Sequence, residues 1–276
     1  MVVFPNCKIN LGLHILNKRE DGYHNIETVF YPVPLKDALE IIPSGNTDAI
    51  QFTSSGLTIR GDAASNLCIK AYHLLKKDYP TLPGIKIHLH KAIPMGAGLG
   101  GGSANAAFTL QLLNKQFQLN LSTTELIDYS LQLGSDCPFF ILNEPCIANG
   151  RGEILNKIDL NLSAYQLMLI NPGIHLNTAE AFGYVDLQKI NHSAVSLNNI
   201  INQPLSQWQQ LLTNHFEKAL FNKYPLIKEI KETLYTMGAS YAAMSGSGST
   251  VYGLFEKKLK SSTNFDPRFF VHLVSL

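Results

Sequence analysis

The run PMGAGLGGGSAN at residues 94–105 constrains this chain more than any other stretch. Five of the seven residues at 96–102 are glycine, separated only by Ala97 and Leu99, and Ser103 and a helical pattern follow. A packed core has no use for so much glycine, which loses more backbone entropy on ordering than any other residue. What it permits is the convergence of backbone N–H groups on something small and anionic at a helix N-terminus. Phosphate is the first candidate.

The chain has 276 residues, 45% of them hydrophobic and 16% charged, which suits a sizeable core in one large or two medium domains. A formal net charge of +1 argues against a broad basic surface for nucleic acid. Cys7, Cys68, Cys137 and Cys146 show no CxxC spacing and read as reduced, buried thiols of a cytoplasmic protein. No basic segment followed by an apolar one opens the chain, and no apolar run approaches the ~20 residues of a membrane helix. Neither a membrane nor a nucleic acid is expected as partner, and no interface pattern gives an oligomeric state.

Alternation puts Ile9, Leu11, Leu13 and Ile15 on one face of a first strand and Lys8, Asn10, Gly12 and His14 on the other. Residues 21–24 read as a turn, 25–33 as extended chain, and 39–43 and 50–59 as strands. Ser65 is placed to cap a helix over 66–77, and 85–90 alternates as a strand. After the glycines, helices are expected from Ala104 to about Phe117 and, capped by Ser122, through Leu133. Residues 138–142 read as a short apolar strand, 149–153 as a turn and 165–170 as a strand. Two helices follow, at 204–220 and 226–237. The loop MSGSGST at 244–250 leads into a strand at 251–255. A domain boundary is expected near residue 155.

Three phosphate loops compete. The GxxxxGK[ST] loop is absent, because no lysine follows the glycines. Gly96, Gly98 and Gly101 satisfy GxGxxG, but residues 91–95 separate the strand from the first glycine. The next element is a second helix rather than a strand ending in an acidic residue, so a dinucleotide site is disfavoured. The third reading is a long glycine loop that wraps nucleotide phosphates. A mere flexible linker fits poorly with Pro94, Met95 and Leu99, which would anchor the loop.

PMGAGLGGGSANAA at 94–107 resembles the phosphate loop of the GHMP kinases, a family of small-molecule kinases, and MSGSGST resembles that family's C-terminal glycine motif. CKINLGLHILNKREDGYHNIETVF at 7–30, LGSDCPFF at 133–140 and GRGE at 150–153 also fit. KINL beside DGYH is similar to the branch of the family whose acceptor is a methylerythritol carrying a cytidine diphosphate. The resemblance implies a two-domain α+β fold. Its parts are an N-terminal domain like the second domain of ribosomal protein S5 (1–155) and a ferredoxin-like C-terminal domain (156–276). It further implies ATP and Mg²⁺ and transfer of the γ-phosphoryl to the 2-hydroxyl of that acceptor, in the non-mevalonate route to isoprenoid precursors. Another small alcohol as acceptor, or a relative without catalysis, is the alternative.

Such a transfer needs phosphates held in line, charge neutralised and the alcohol oriented. By the resemblance, Pro94, Met95, Gly96, Ala97, Gly98, Leu99, Gly100, Gly101, Gly102, Ser103 and Ala104 hold the triphosphate, and the Ser103 hydroxyl contacts phosphate or Mg²⁺ unless it is simply the helix cap. Relatives often carry a second serine where this chain has Ala104. Asn66, Leu67 and Lys91 fall on the adenine side. Asp136 is the catalytic carboxylate, as base or as orienting group, although SDCP alone reads as a turn in which Asp caps the backbone. Lys8 is its cationic partner, although a lone strand lysine is usually solvated. Asn10 bonds phosphate or substrate. Tyr23 stacks on the cytosine with Phe182 as a second aromatic, His24 supplies polar contacts, and Thr178 lies near the acceptor hydroxyl. The role of Arg151 is open. His88 and His90 share a strand face but lack a third metal ligand and read as surface residues.

Overall fold

The computed structural model describes residues 1–45, 49–59, 61–189, 196–256, 259 and 265–276. In chain order its strands and helices are β1 (Val2–Val3), β2 (Asn6–Lys18), β3 (His24–Lys36), β4 (Ala38–Pro43), β5 (Gln51–Gly56), α1 (Leu67–Asp78), β6 (Ile85–Lys91), α2 (Gly101–Gln116), α3 (Thr123–Leu131) and α4 (Cys137–Leu142). There follow β7 (Cys146–Asn149), β8 (Ile154–Lys157), β9 (Gln166–Asn171), α5 (Thr178–Gly183), α6 (Leu197–Ile201), α7 (Leu205–Leu211), α8 (His215–Lys223), α9 (Pro225–Thr236), β10 (Tyr241–Met244), β11 (Val251–Phe255) and β12 (Phe270–Ser275). The chain forms two compact units that interleave in sequence. One comprises Met1–Cys7, Leu35–Met95 and Gly100–Glu144; the other comprises Lys8–Pro34, Gly96–Leu99 and Pro145–Leu276.

The first unit is a sheet of order β1-β4-β6-β5, with β5 parallel to β6 and the other pairs antiparallel. In β6 the period of two buries Ile85, Ile87, Leu89 and Lys91, while Lys86 and His90 face outward. A lysine thus stands in the buried phase of an apolar strand. Helices α1 and α2 pack on each other, and α2 also packs on β4, α3 and α4. Asn66 rather than Ser65 caps α1, its Oδ1 accepting from the Cys68 N–H at 2.9 Å; Ser65 closes a preceding 3₁₀ turn. A second correction is α4. Residues 137–142 are helical, not extended, because Pro138 favours a first helical turn and Phe139, Phe140 and Ile141 are buried all round. Periodicity cannot tell so short an apolar run from a strand.

The second unit holds two four-stranded sheets, ordered β2-β3-β7-β8 and β10-β11-β9-β12, the latter wholly antiparallel. Its core joins Leu13, Ile15 and Ile26 to Met168, Ile170, Phe216, Ile230, Met244 and Phe255. The helix expected over 204–220 is two helices, α7 and α8. The break falls at Thr213–Asn214, where the Leu13 N–H donates to the Thr213 carbonyl at 2.9 Å and Asn214 caps α8 through the Phe216 N–H.

Candidate active site

The glycine run owes its course to backbone that other residues adopt at a cost. Gly96, Gly98 and Gly100 have positive φ, whereas Ala97 and Leu99 between them are buried anchors. Gly100 is the N-cap of α2 in left-handed conformation, and the helix begins at Gly101. Ser103 is therefore in the first turn and is not the cap; the helix starts three residues earlier than its apolar pattern indicates. Its N–H groups remain oriented as an anion site requires.

Within the second unit, the MSGSGST loop fits against Gly98. Ser245 Oγ donates to the Gly98 carbonyl at 2.7 Å, and a Cβ on Gly98 would collide with the Ser245 carbonyl oxygen. Asn214, which sequence reasoning did not single out, holds this loop from behind: its Nδ2 donates to the carbonyls of Met244 and Gly246, each at 2.8 Å. The signal was present as a short polar cluster, TN, inside an otherwise helical run. The Asn10 N–H donates to Ser245 Oγ at 3.2 Å, and the Tyr252 hydroxyl donates to the Asn10 carbonyl at 2.8 Å.

Lys8 is 4% exposed. Its strand is buried on both faces from Asn6 to Ile15, so the polar face is an interior one. Lys8 Nζ donates to Asn10 Oδ1 at 2.5 Å and lies 4.7 Å from the centre of the Phe30 ring. Asn10 Nδ2 in turn donates to Thr28 Oγ1 at 2.9 Å. The structure thus uses Asn10 to hold the Lys8 ammonium, a positioned cation of the kind that stabilises developing negative charge.

In the first unit a cavity of about 320 Å³ is lined by Phe52, Ser54, Asn66, Leu67, Lys91 and Met95 among others, with Gly102 and Asn105 at its helix side. Such a volume lies at the lower end of small-molecule pockets, roughly 300–1,000 Å³. Five expected nucleotide residues, Asn66, Leu67, Lys91, Met95 and Gly102, converge here. The Lys91 ammonium is buried against Asp37 Oδ2 at 2.5 Å and reaches Asn105 Oδ1 at 3.3 Å. Asp37 and Asn105 were not among the expected residues.

Asp136 occupies the N-cap position of α4, where its side chain makes no cap hydrogen bond. Beside it the Cys137 thiol is pushed up to about 12 by burial and by the Asp136 charge, against a hydrogen bond with Ser103 that favours the thiolate. Burial likewise pushes Cys68 up to about 11. Both thiols stay protonated at neutral pH, and all four cysteines are buried and outside any disulfide.

The turn residues of the second unit make paired platforms. The His24 ring is parallel to the Phe182 ring, 4.2 Å between centres. Tyr23, 57% exposed, has the Arg151 guanidinium over its ring at 5.0 Å. The structure thus stacks His24 on Phe182 and sets Arg151 over Tyr23. Arg151 is held by Glu153, whose carboxylate accepts from the Arg151 backbone N–H at 2.5 Å. Thr178 Oγ1 lies 3.2 Å from Ser247 Oγ.

Residues 66–144 match the family described as GHMP kinases N terminal domain, and 193–262 match GHMP kinases C terminal. The chain is 51% identical over 261 residues to the 4-diphosphocytidyl-2-C-methyl-D-erythritol kinase of Bacteroides fragilis (strain YCH46), covering 94% of each chain. It is 54% identical over 260 residues to the protein of that name from Cytophaga hutchinsonii, covering 94% of this chain and 93% of that one. A crystal structure of 4-(cytidine 5'-diphospho)-2C-methyl-D-erythritol kinase superposes with a TM-score of 0.79 at 30% identity, over 92% of this chain and 90% of that one. A mevalonate kinase structure shares the fold at a TM-score of 0.68 and 15% identity.

Proposed function

The chain belongs to the GHMP kinases, and from that membership we propose the following assignment of its residues to the transfer of the ATP γ-phosphoryl group. The chain is an ATP-dependent kinase acting on 4-diphosphocytidyl-2-C-methyl-D-erythritol at its 2-hydroxyl, in the non-mevalonate route to isoprenoid precursors. The observation that carries this reading is identity of about half over nearly the whole length of relatives bearing that one name. The fold is the two-domain α+β fold of the family, and the boundary we assign near residue 155 lies between its two matched segments.

The adenine lies in the cavity bounded by Asn66, Leu67 and Lys91, with the glycine N–H groups of residues 96–102 and the first turn of α2 cradling the phosphates. Among the described residues, no group of three or more His, Cys, Asp or Glu side chains is placed to hold a metal. Mg²⁺ would come with the triphosphate and neutralise charge on the transferring group, with the Ser103 hydroxyl as its contact. Lys8, fixed by Asn10, offers a cation to the phosphoryl oxygens. Asp136 orients the acceptor hydroxyl or takes its proton, a task that a loose transition state keeps modest. Tyr23, His24 and Phe182 receive the cytosine, with Thr178 nearer the acceptor. We place the reaction in the cytoplasm, in keeping with four buried cysteines that form no disulfide; no helix among the described residues is long and apolar enough to cross a membrane.

The test is ADP release in a coupled assay with the cytidine-diphosphate substrate beside mevalonate, homoserine and galactose. Turnover confined to the first is expected. Absence of turnover with it, or a faster rate with one of the others, overturns the assignment of substrate.

A further inference from the structure

Asp37 is a carboxylate buried between β3 and β4 that takes no part in the chemistry described above. It is 1% exposed, and its backbone is pinned by the N–H of Asp37 donating to the Pro5 carbonyl at 2.9 Å. Its two oxygens accept four hydrogen bonds. Oδ1 takes the N–H groups of Ala92 and Ile93, at 2.8 and 2.9 Å. Oδ2 takes the Lys91 ammonium at 2.5 Å and the Asn105 Nδ2 at 2.9 Å. Asn105 Oδ1 closes the ring by accepting from Lys91 at 3.3 Å. Lys91 and Asn105 are 2% and 3% exposed.

The position of these partners in the chain is the informative point. Ile93 stands three residues before Gly96, the first glycine of the run, and Asn105 three residues after Gly102, the last, in the second turn of α2. The same carboxylate therefore grips the chain on both sides of the run. The Lys91 ammonium is held beneath the first turn of α2, since a Cβ on Gly101 would lie 3.2 Å from it. Lys91 and Asn105 line the cavity, whereas Asp37 stands one layer behind them. A buried lysine among Ile85, Ile87 and Leu89 is costly without its counter-ion. Four converging bonds exceed what neutralising one charge requires; two of them go to backbone N–H groups and fix the path of the chain.

We propose that Asp37 is a positioning residue for nucleotide binding. Its carboxylate fixes the entry and exit of the glycine run and the ammonium beneath the first turn of α2, so that the triphosphate meets a preformed cradle. This rests on the reading of ATP as donor. Asp37 acts through Ala92, Ile93, Lys91 and Asn105 and does not touch the nucleotide.

Asp37→Asn keeps the size of the side chain and removes the charge that orders the four donors. Steady-state kinetics with both substrates, together with titration by AMP-PNP and by adenosine, separate positioning from general destabilisation. The expected result is a rise of at least tenfold in KM for ATP and in Kd for AMP-PNP. KM for the cytidine substrate should stay within about twofold, and Kd for adenosine, whose cavity Lys91 and Asn105 line, should rise less than that for AMP-PNP. Hydrogen exchange at the amides of Ala92 and Ile93 should be faster than in the wild type. Unchanged AMP-PNP affinity in folded protein overturns the proposal, and so does an equal loss for both substrates, which marks a merely structural role. If Asp37→Asn does not fold, Asp37→Glu keeps the counter-ion of Lys91 and displaces the carboxylate oxygens from the Ala92 and Ile93 N–H groups. It should fold and bind AMP-PNP at least tenfold more weakly, and wild-type affinity there is the overturning result. Wild-type protein that binds neither ATP nor AMP-PNP would remove the donor reading itself, an outcome distinct from any of these.

Discussion

The imidazole of His24 lies flat on the phenyl ring of Phe182, with 4.2 Å between ring centres and 4° between their planes. The contact partly dehydrates the imidazole, and this burial, with a smaller effect from the Lys18 charge, lowers its pKa below the ordinary 6.5. The unfolded chain therefore binds a proton on this group more readily than the folded one. The contribution of the stack is complete above pH 6.5 and is lost as pH falls through the lower folded-state value. In an NMR titration the His24 ring should show a midpoint below 6.5, moving back toward 6.5 in Phe182→Ala. A midpoint at or above 6.5 in the wild type contradicts the stacked arrangement.

Tyr23 presents one face to solvent and the other to Arg151, whose guanidinium is 5.0 Å from the ring centre. Base stacking on an aromatic ring is worth roughly 1–3 kcal/mol, so Tyr23→Ala should raise KM for the cytidine substrate about 5- to 150-fold and leave KM for ATP unchanged. Arg151→Ala leaves the ring in place without its backing. An exposed cation–π contact of ~0.5–1 kcal/mol corresponds to a rise of about two- to fivefold. Parallel initial-rate measurements with each substrate varied check both, and an unchanged KM in Tyr23→Ala removes the stacking role.

Gly98 combines a φ of 75° with a neighbouring carbonyl, that of Ser245, where a Cβ would stand. Gly98→Ala should cost about 1–3 kcal/mol through strain alone, and more because the Ser245 backbone cannot retreat like a flexible side chain. A lowered Tm together with a raised KM for ATP is expected in thermal denaturation and kinetics. Wild-type stability in this variant would mean that the two glycine loops do not approach as closely as described.

The strands and most helices were legible because their signals are local. Alternation in 85–90 gives β6, capping by Ser122 marks the start of α3, and Ser65, one residue before the observed cap Asn66, marks that of α1 within a residue. The glycine run announced an anion, and KINL, DGYH and LGSD brought in Lys8, Tyr23, His24 and Asp136. Other features depend on distant partners. Residues 137–142 are too short for periodicity to decide between helix and strand. The break at Asn214 depends on the carbonyls of Met244 and Gly246, some thirty residues on. Asp37 reads locally as an ordinary polar residue between two strands; only folding brings it to Lys91 and Asn105. The one visible clue was Lys91 itself, a charge in the buried phase of β6.

Asp136 has the most exacting prediction, because it stands at the start of α4 beside a Cys137 thiol that burial pushes up to about 12. Removing a proton acceptor while keeping its shape isolates its part in the chemical step. Positioned acid–base groups contribute roughly 10²–10⁴-fold, and Asp136→Asn should lower kcat within that range. The Kd for AMP-PNP, measured by calorimetry, should stay within about threefold of wild type, since the cavity and the glycine run are untouched. A loss near the lower bound would fit a group that mainly orients the hydroxyl, as a loose phosphoryl-transfer transition state allows. A loss near the upper bound would fit proton removal concerted with transfer. Full activity in Asp136→Asn would remove this carboxylate from the reaction.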